Sequence, residues 1–188
     1  MRYIAIPESW RGRALVVTDV DDPRSWFLDG ELEFAPRLER RRHDWMLARI
    51  AAKQLAFDLA LCDDPRAFVV TRSRGLSLSH SKGFGAAAID ERGCGIDIEA
   101  PRDVNEGAAH LFLRDDEAEA MRACTIAHRL IHFWSAKETA WKRESERYAT
   151  LKQLPLKCEE ELANGLLFDC VETFDAGPVI VALTRPTS

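Results

Sequence analysis

Two short runs in this chain carry residue types at spacings that suit phosphate chemistry. They are Gly95-Ile96-Asp97-Ile98-Glu99 and Phe133-Trp134-Ser135-Ala136-Lys137-Glu138-Thr139-Ala140-Trp141-Lys142. If Ile96 to Glu99 is extended, the carboxylates of Asp97 and Glu99 project from one face of a strand while Ile96 and Ile98 point the other way. The second run reads as a helix, on which Glu138 and Lys142 are four residues apart and share a face. Three carboxylates on two rigid elements suit Mg²⁺, a hard cation that takes oxygen ligands and is usually completed by water and substrate phosphate. A lysine one turn from such a carboxylate is placed to neutralise charge on a leaving phosphate. The expected substrate is a phosphate ester. Either run alone is a weak signal, because Asp-x-Glu pairs and Lys-Glu pairs are common on solvated strands and helices.

Together the two runs closely resemble the signature of the 4′-phosphopantetheinyl transferases, nearest to the surfactin-synthetase-activating type. The family's second motif has Ala or Ser where this chain has Thr139. The resemblance implies transfer of the 4′-phosphopantetheine arm of coenzyme A to a serine of an apo acyl or peptidyl carrier protein, releasing adenosine 3′,5′-bisphosphate. It implies that Asp97, Glu99 and Glu138 hold Mg²⁺, and that Glu138, or a water or hydroxide ordered by the metal, takes the serine proton. Lys142 is then the residue that stabilises or protonates the departing bisphosphate. Ser79, His80, Arg49, Lys53 and Lys137 are the residues expected to fix the coenzyme. Ser79-His80-Ser81 matches the Ser-His-Ser of the family, and Arg49 to Lys53 matches its Arg-x-Ala-Ala-Lys. Lys137 projects close to the apolar side of its helix, where it either snorkels or, as the family favours, reaches phosphate.

The implied fold is α+β: a pseudo-dimer of two similar α/β halves, each a small, mostly antiparallel sheet packed on a long helix, with the active site in the cleft between them. Residues 1–96 are the expected N-terminal half and 97–188 the C-terminal half of one structural unit. Two departures from the family stand out. Relatives often carry Gly-Lys-Pro before the Ser-His-Ser strand, where this chain has Thr71-Arg72-Ser73-Arg74-Gly75, so Arg72 or Arg74 is the candidate for the missing charge. Beyond the second motif, relatives often have a glycine-containing loop that Glu144 to Tyr148 lacks.

Composition narrows the alternatives. The chain has 188 residues, 46% hydrophobic and 30% charged, which suits a soluble globular protein with one core or two small halves. It has no apolar run of membrane-spanning length and no signal-like start, so a cytosolic protein is expected. A formal charge of −5 argues against non-specific nucleic-acid binding as a main role. Cys62, Cys94, Cys124, Cys158 and Cys170 show no zinc-like spacing and read as reduced core residues. The carrier is expected to be acidic around its serine, and the enzyme a monomer. A non-catalytic module that binds coenzyme A or a carrier is the rival reading; a third metal carboxylate beside a lysine is more than pure binding requires. A different Mg²⁺-dependent phosphotransferase would be favoured by a Walker-type glycine loop, which is not present.

The elements that position these residues follow from periodicity. Tyr3–Ile6 and Arg13–Thr18 read as strands, and residues 36–61 as a long helix that gathers Arg37, Arg40, Arg41, Arg42, Arg49 and Lys53. Phe68–Val70 and Leu76–Ser79 are strand-like. Gly85–Ile89 and Cys94–Ile98 flank Asp90-Glu91-Arg92-Gly93 and read as a hairpin, which would bring His80 and Asp97 to one end of a sheet. Residues 105–113 and 115–123 read as helices, 126–148 as the second long helix, and Leu166–Phe174 with Pro178–Thr184 as a closing hairpin.

Overall fold

The first long helix has little bulk on the side it buries, and that decides how the first half packs. In the computed structural model, which describes residues 1–71, 73, 75–144 and 147–186, helix α1 spans Glu39–Asp58. It turns Leu47, Ala48, Ile50, Ala51, Ala52, Leu55 and Ala56 inward. It lies across strand β4 (Phe84–Ile89), whose Gly-Ala-Ala-Ala run is equally small. A Cβ at Gly85 would come within 2.1 Å of the Leu47 carbonyl carbon, so only glycine lets helix and strand approach this closely. With β1 (Arg2–Tyr3), β2 (Ala14–Thr18) and β3 (Leu76–Ser81), β4 forms an antiparallel sheet in the order β1-β2-β4-β3.

The second half repeats the device. Helix α3 (Arg129–Glu144) packs on β9 (Ile180–Thr184), β5 (Ile96–Glu99) and β8 (Val171–Asp175). A Cβ at Gly95 would lie 2.0 Å from the Thr139 carbonyl oxygen. With β7 (Gly165–Phe168) and β6 (Cys158–Leu162) the sheet runs β5-β9-β8-β7-β6, again antiparallel throughout. A shorter helix, α2 (Asp115–Ala123), precedes α3. The chain is therefore α+β with two antiparallel sheets, and it divides into two compact units, Met1–Cys94 and Gly95–Ser188. In each unit the strand before the long helix pairs with the unit's last strand, whose other neighbour is the preceding strand: β2-β4-β3 in one, β5-β9-β8 in the other.

Several expectations are corrected. Asp90 to Gly93 does form a turn, closed by the Gly93 amide on the Asp90 carbonyl at 2.9 Å, but it is not a hairpin. Both edges of β4 are taken by β2 and β3, so β5 pairs with β9 instead. His80 and Asp97 therefore belong to different sheets. Phe68–Val70 is not a strand: the carbonyls of Arg66 and Phe68 accept from the Lys53 ammonium rather than from a ladder. Residues 105–113 hold a short 3₁₀ turn at Glu106–Leu111. Both long helices are shorter at their ends than the periodicity implies, and β6 escapes the pattern because three consecutive glutamates read as a solvated loop. The unit boundary falls at 94/95, against 96/97 from sequence.

Candidate functional site

Strand β5 brings Asp97 and Glu99 to the helix that carries Glu138 and Lys142. Asp97 is buried at 5% exposure and pairs in register with Ala182, while Glu99 pairs with Ile180. The Lys142 ammonium donates to Asp97 Oδ1 and to the Ile96 carbonyl, both at 2.9 Å. Glu138, one turn earlier, is half-buried. Burial raises its pKa above the ordinary glutamate value, the negative charges of Asp97 and Glu99 raise it further, and Lys142 opposes them. Glu99 is itself engaged by Arg102, whose Nη1 donates to Glu99 Oε2 at 2.8 Å. Three carboxylates thus face two cations supplied by the same unit. As they stand, no three His, Cys, Asp or Glu side chains among the described residues converge on a single metal position. Lys142 and Arg102 are where a cation would have to compete.

Thr139, the departure within the motif, is fully buried and donates to the Ala182 carbonyl at 3.3 Å. Its hydroxyl fastens α3 to β9, the strand next to β5.

Two of the expected coenzyme ligands are placed elsewhere, and the reason is burial. Lys53 is 0% exposed, and its ammonium is held by Glu31 at 3.1 Å and by the carbonyls of Arg66 and Phe68 at 2.8 and 3.0 Å. Lys137 is likewise 0% exposed. It donates to Glu117 at 2.7 Å and to the Leu151 and Leu154 carbonyls, and burial lowers its pKa against the opposing pull of Glu117. Lys137 therefore does not snorkel; its ammonium is bonded inside the protein. Each unit thus uses one helix lysine to gather a carboxylate that precedes the helix and two loop carbonyls that follow it.

Arg49 remains at a surface. Its guanidinium lies 3.7 Å from the Trp45 ring centroid, and burial brings its pKa down to about 10 against the pull of Glu31. Arg49 and Trp45 line a cleft of about 520 Å³ with Phe34 and Val69. Ser79 is buried opposite Ala86, and His80 is exposed opposite Gly85. The turn after Ser81 runs through Lys82 and Gly83, both at positive φ of 45° and 88°. Asp44 of α1 accepts from the Gly83 amide at 2.8 Å and so ties this turn to the helix.

That link builds a second cleft, of about 730 Å³, which sequence reading missed. Arg24, Arg40, Arg42, His43 and Lys82 line it against Asp22, Glu39 and Asp44. The available signal was position along the helix: Arg40, Arg42 and His43 fall in the opening residues of α1, about three turns before Lys53, and Lys82 adjoins the Ser-His-Ser strand. Arg72 and Arg74, the candidates for a missing charge, lie outside the described residues, as do Ser145 and Glu146 of the loop after α3. No protein-family model matches the chain, and no curated protein matches it.

Proposed function

We propose that the chain is a Mg²⁺-dependent 4′-phosphopantetheinyl transferase that modifies a serine of an acyl or peptidyl carrier protein. The observation that carries this reading is the cluster of Asp97, Glu99, Glu138 and Lys142 on β5 and α3. The pseudo-dimer architecture of that family belongs to the same reading, and the matching strand orders β2-β4-β3 and β5-β9-β8 support it.

The donor set suits Mg²⁺: hard oxygens in which three carboxylates outnumber two cations, and a glutamate whose proton affinity is raised by its neighbours' charge. Asp97, Glu99 and Glu138 would hold the ion, which when bound supplies neutralisation of pyrophosphate charge. The rest falls to the chain's own groups. Glu138 has a raised proton affinity, as a carboxylate that accepts the serine proton requires. Lys142 is held at the Asp97 carboxylate, one turn from Glu138, and is the group that meets negative charge growing on the leaving bisphosphate. Coenzyme recognition is assigned to the first unit: the cleft of Arg24, Arg40, Arg42, His43 and Lys82 takes phosphate, and Arg49 on Trp45 offers a planar cation for a second anionic group.

The test is intact-protein mass spectrometry of a panel of apo carrier proteins incubated with the chain, coenzyme A and Mg²⁺, with EDTA as control. The expected result is a metal-dependent gain of one phosphopantetheine on at least one carrier. Coenzyme A binding with no gain on any carrier would move the assignment to a non-catalytic binding module.

A further inference from the structure

Apart from the carboxylate cluster, the second unit brings two of the five cysteines together. Cys124 closes α2, and its thiol donates to the Ala120 carbonyl at 3.3 Å. Cys158 opens β6 and packs against the core cluster that contains Cys124. Both side chains thus meet in one apolar cluster, at the point where the chain segments that carry them are hydrogen-bonded through Thr125 and Glu161. The remaining cysteines have other surroundings. Cys94 is engaged by the carbonyls of Gly75 and Ala88, Cys170 sits beside Asp169, and Cys62 lies in the first unit.

The backbone around the pair is already fastened. Thr125, the residue after Cys124, donates from its amide and its hydroxyl to the Glu161 carboxylate of β6 at 2.8 and 2.5 Å. Cys124 is 8% exposed and Cys158 is half-buried.

We infer that Cys124 and Cys158 form a reversible disulfide site, closed by a peroxide-class oxidant and reopened by external thiol. In the first step the Cys124 thiolate attacks one peroxide oxygen. A sulfur–oxygen bond forms as the oxygen–oxygen bond breaks, and the leaving hydroxide takes a proton to become water. Cys158, having lost its proton, then attacks the Cys124 sulfur; the disulfide forms, the sulfur–oxygen bond breaks, and a second water leaves. Two thiols are oxidised and one hydrogen peroxide is reduced to two waters. Burial holds both thiols protonated, Cys158 up to about 12, so closure is slow at neutral pH and accelerates as pH rises. The closed bond would enclose the whole of α3, tying its two flanks together. This inference stands independently of the transferase reading.

The test treats the full chain with hydrogen peroxide and follows intact mass, non-reduced peptide maps and thermal unfolding. The expected result is loss of two hydrogen masses, one cross-linked peptide joining Cys124 to Cys158, reversal by dithiothreitol, and a Tm increase of roughly 5–10 °C. Cys158→Ser should abolish the mass loss, and Cys170→Ser should retain it. Oxygen addition to unlinked cysteines, a cross-link involving another cysteine, or an unchanged mass would each overturn the assignment.

Discussion

Asp97 shares Oδ1 with the Lys142 ammonium, so any cation arriving at the carboxylates meets a charge the chain itself supplies. The same holds at Glu99, where Arg102 is already in place. Under the proposed function, Asp97→Ala and Glu138→Gln should each lower transfer by at least about 100-fold while leaving the circular dichroism spectrum unchanged. Full activity in either variant would remove the metal and base assignments together. Lys142→Ala should reduce kcat more than it weakens coenzyme A, because its charge is needed where the leaving group develops; an effect confined to KM would count against that role.

At the scale of the element, α1 and α3 are built by the same rule. Each meets its sheet at a glycine, Gly85 or Gly95, and each buries one lysine that collects a carboxylate and two loop carbonyls. Removing one partner of a buried ion pair strands the other in low dielectric. Lys137→Met leaves Glu117 with Arg114 at 3.3 Å and the Arg114 and Leu156 amides but without its buried ammonium, and should destabilise the protein by about 3 kcal/mol, read as a lower denaturation midpoint. His132, on the buried side of α3, meets Thr173 Oγ1 at 2.8 Å, and burial pushes its pKa down to about 4. The folded state keeps this ring neutral whereas the unfolded chain protonates it near 6.5. The resulting stability is complete above about pH 6.5 and is lost as pH falls toward 4, by roughly 2–3 kcal/mol. Chemical denaturation at pH 7 and pH 4.5 checks this, and His132→Gln should flatten the difference.

On the scale of the whole molecule, charge is divided unevenly. Residues 1–94 carry 15 Lys and Arg against 14 Asp and Glu, whereas residues 95–188 carry 11 against 17. Four of the first unit's 15 Lys and Arg, with His43, line the 730 Å³ cleft, and the acidic second unit holds the carboxylate cluster. A divalent cation that binds the second unit should stabilise the fold by mass action. At about 100 times its dissociation constant, Mg²⁺ should raise Tm by roughly 5–10 °C in the wild type and hardly at all in Asp97→Ala. Under the proposed function, coenzyme A affinity should fall steeply with added salt, and Arg42→Ala should weaken both the affinity and its salt dependence.

The α+β class was expected from the motif resemblance, whereas the strand that carries Asp97 and Glu99, the helix that carries Glu138 and Lys142, and the four-residue interval between those two were legible in the sequence because each is local. Partners at a distance were not. Leu76 to Ile98 reads as successive antiparallel strands whether or not β5 pairs with β4, since alternation specifies a face and not a neighbour. Lys53 and Lys137 have the residue type and motif position of phosphate ligands. Only tertiary packing shows that their ammonium groups neutralise Glu31 and Glu117 inside the protein. The basic cleft required the tertiary structure too, because it joins α1 to the turn at Lys82 through Asp44, two segments that the sequence holds far apart. Motif spacing determined which groups can act; long-range burial and hydrogen bonding decided which of them are left with charge to offer.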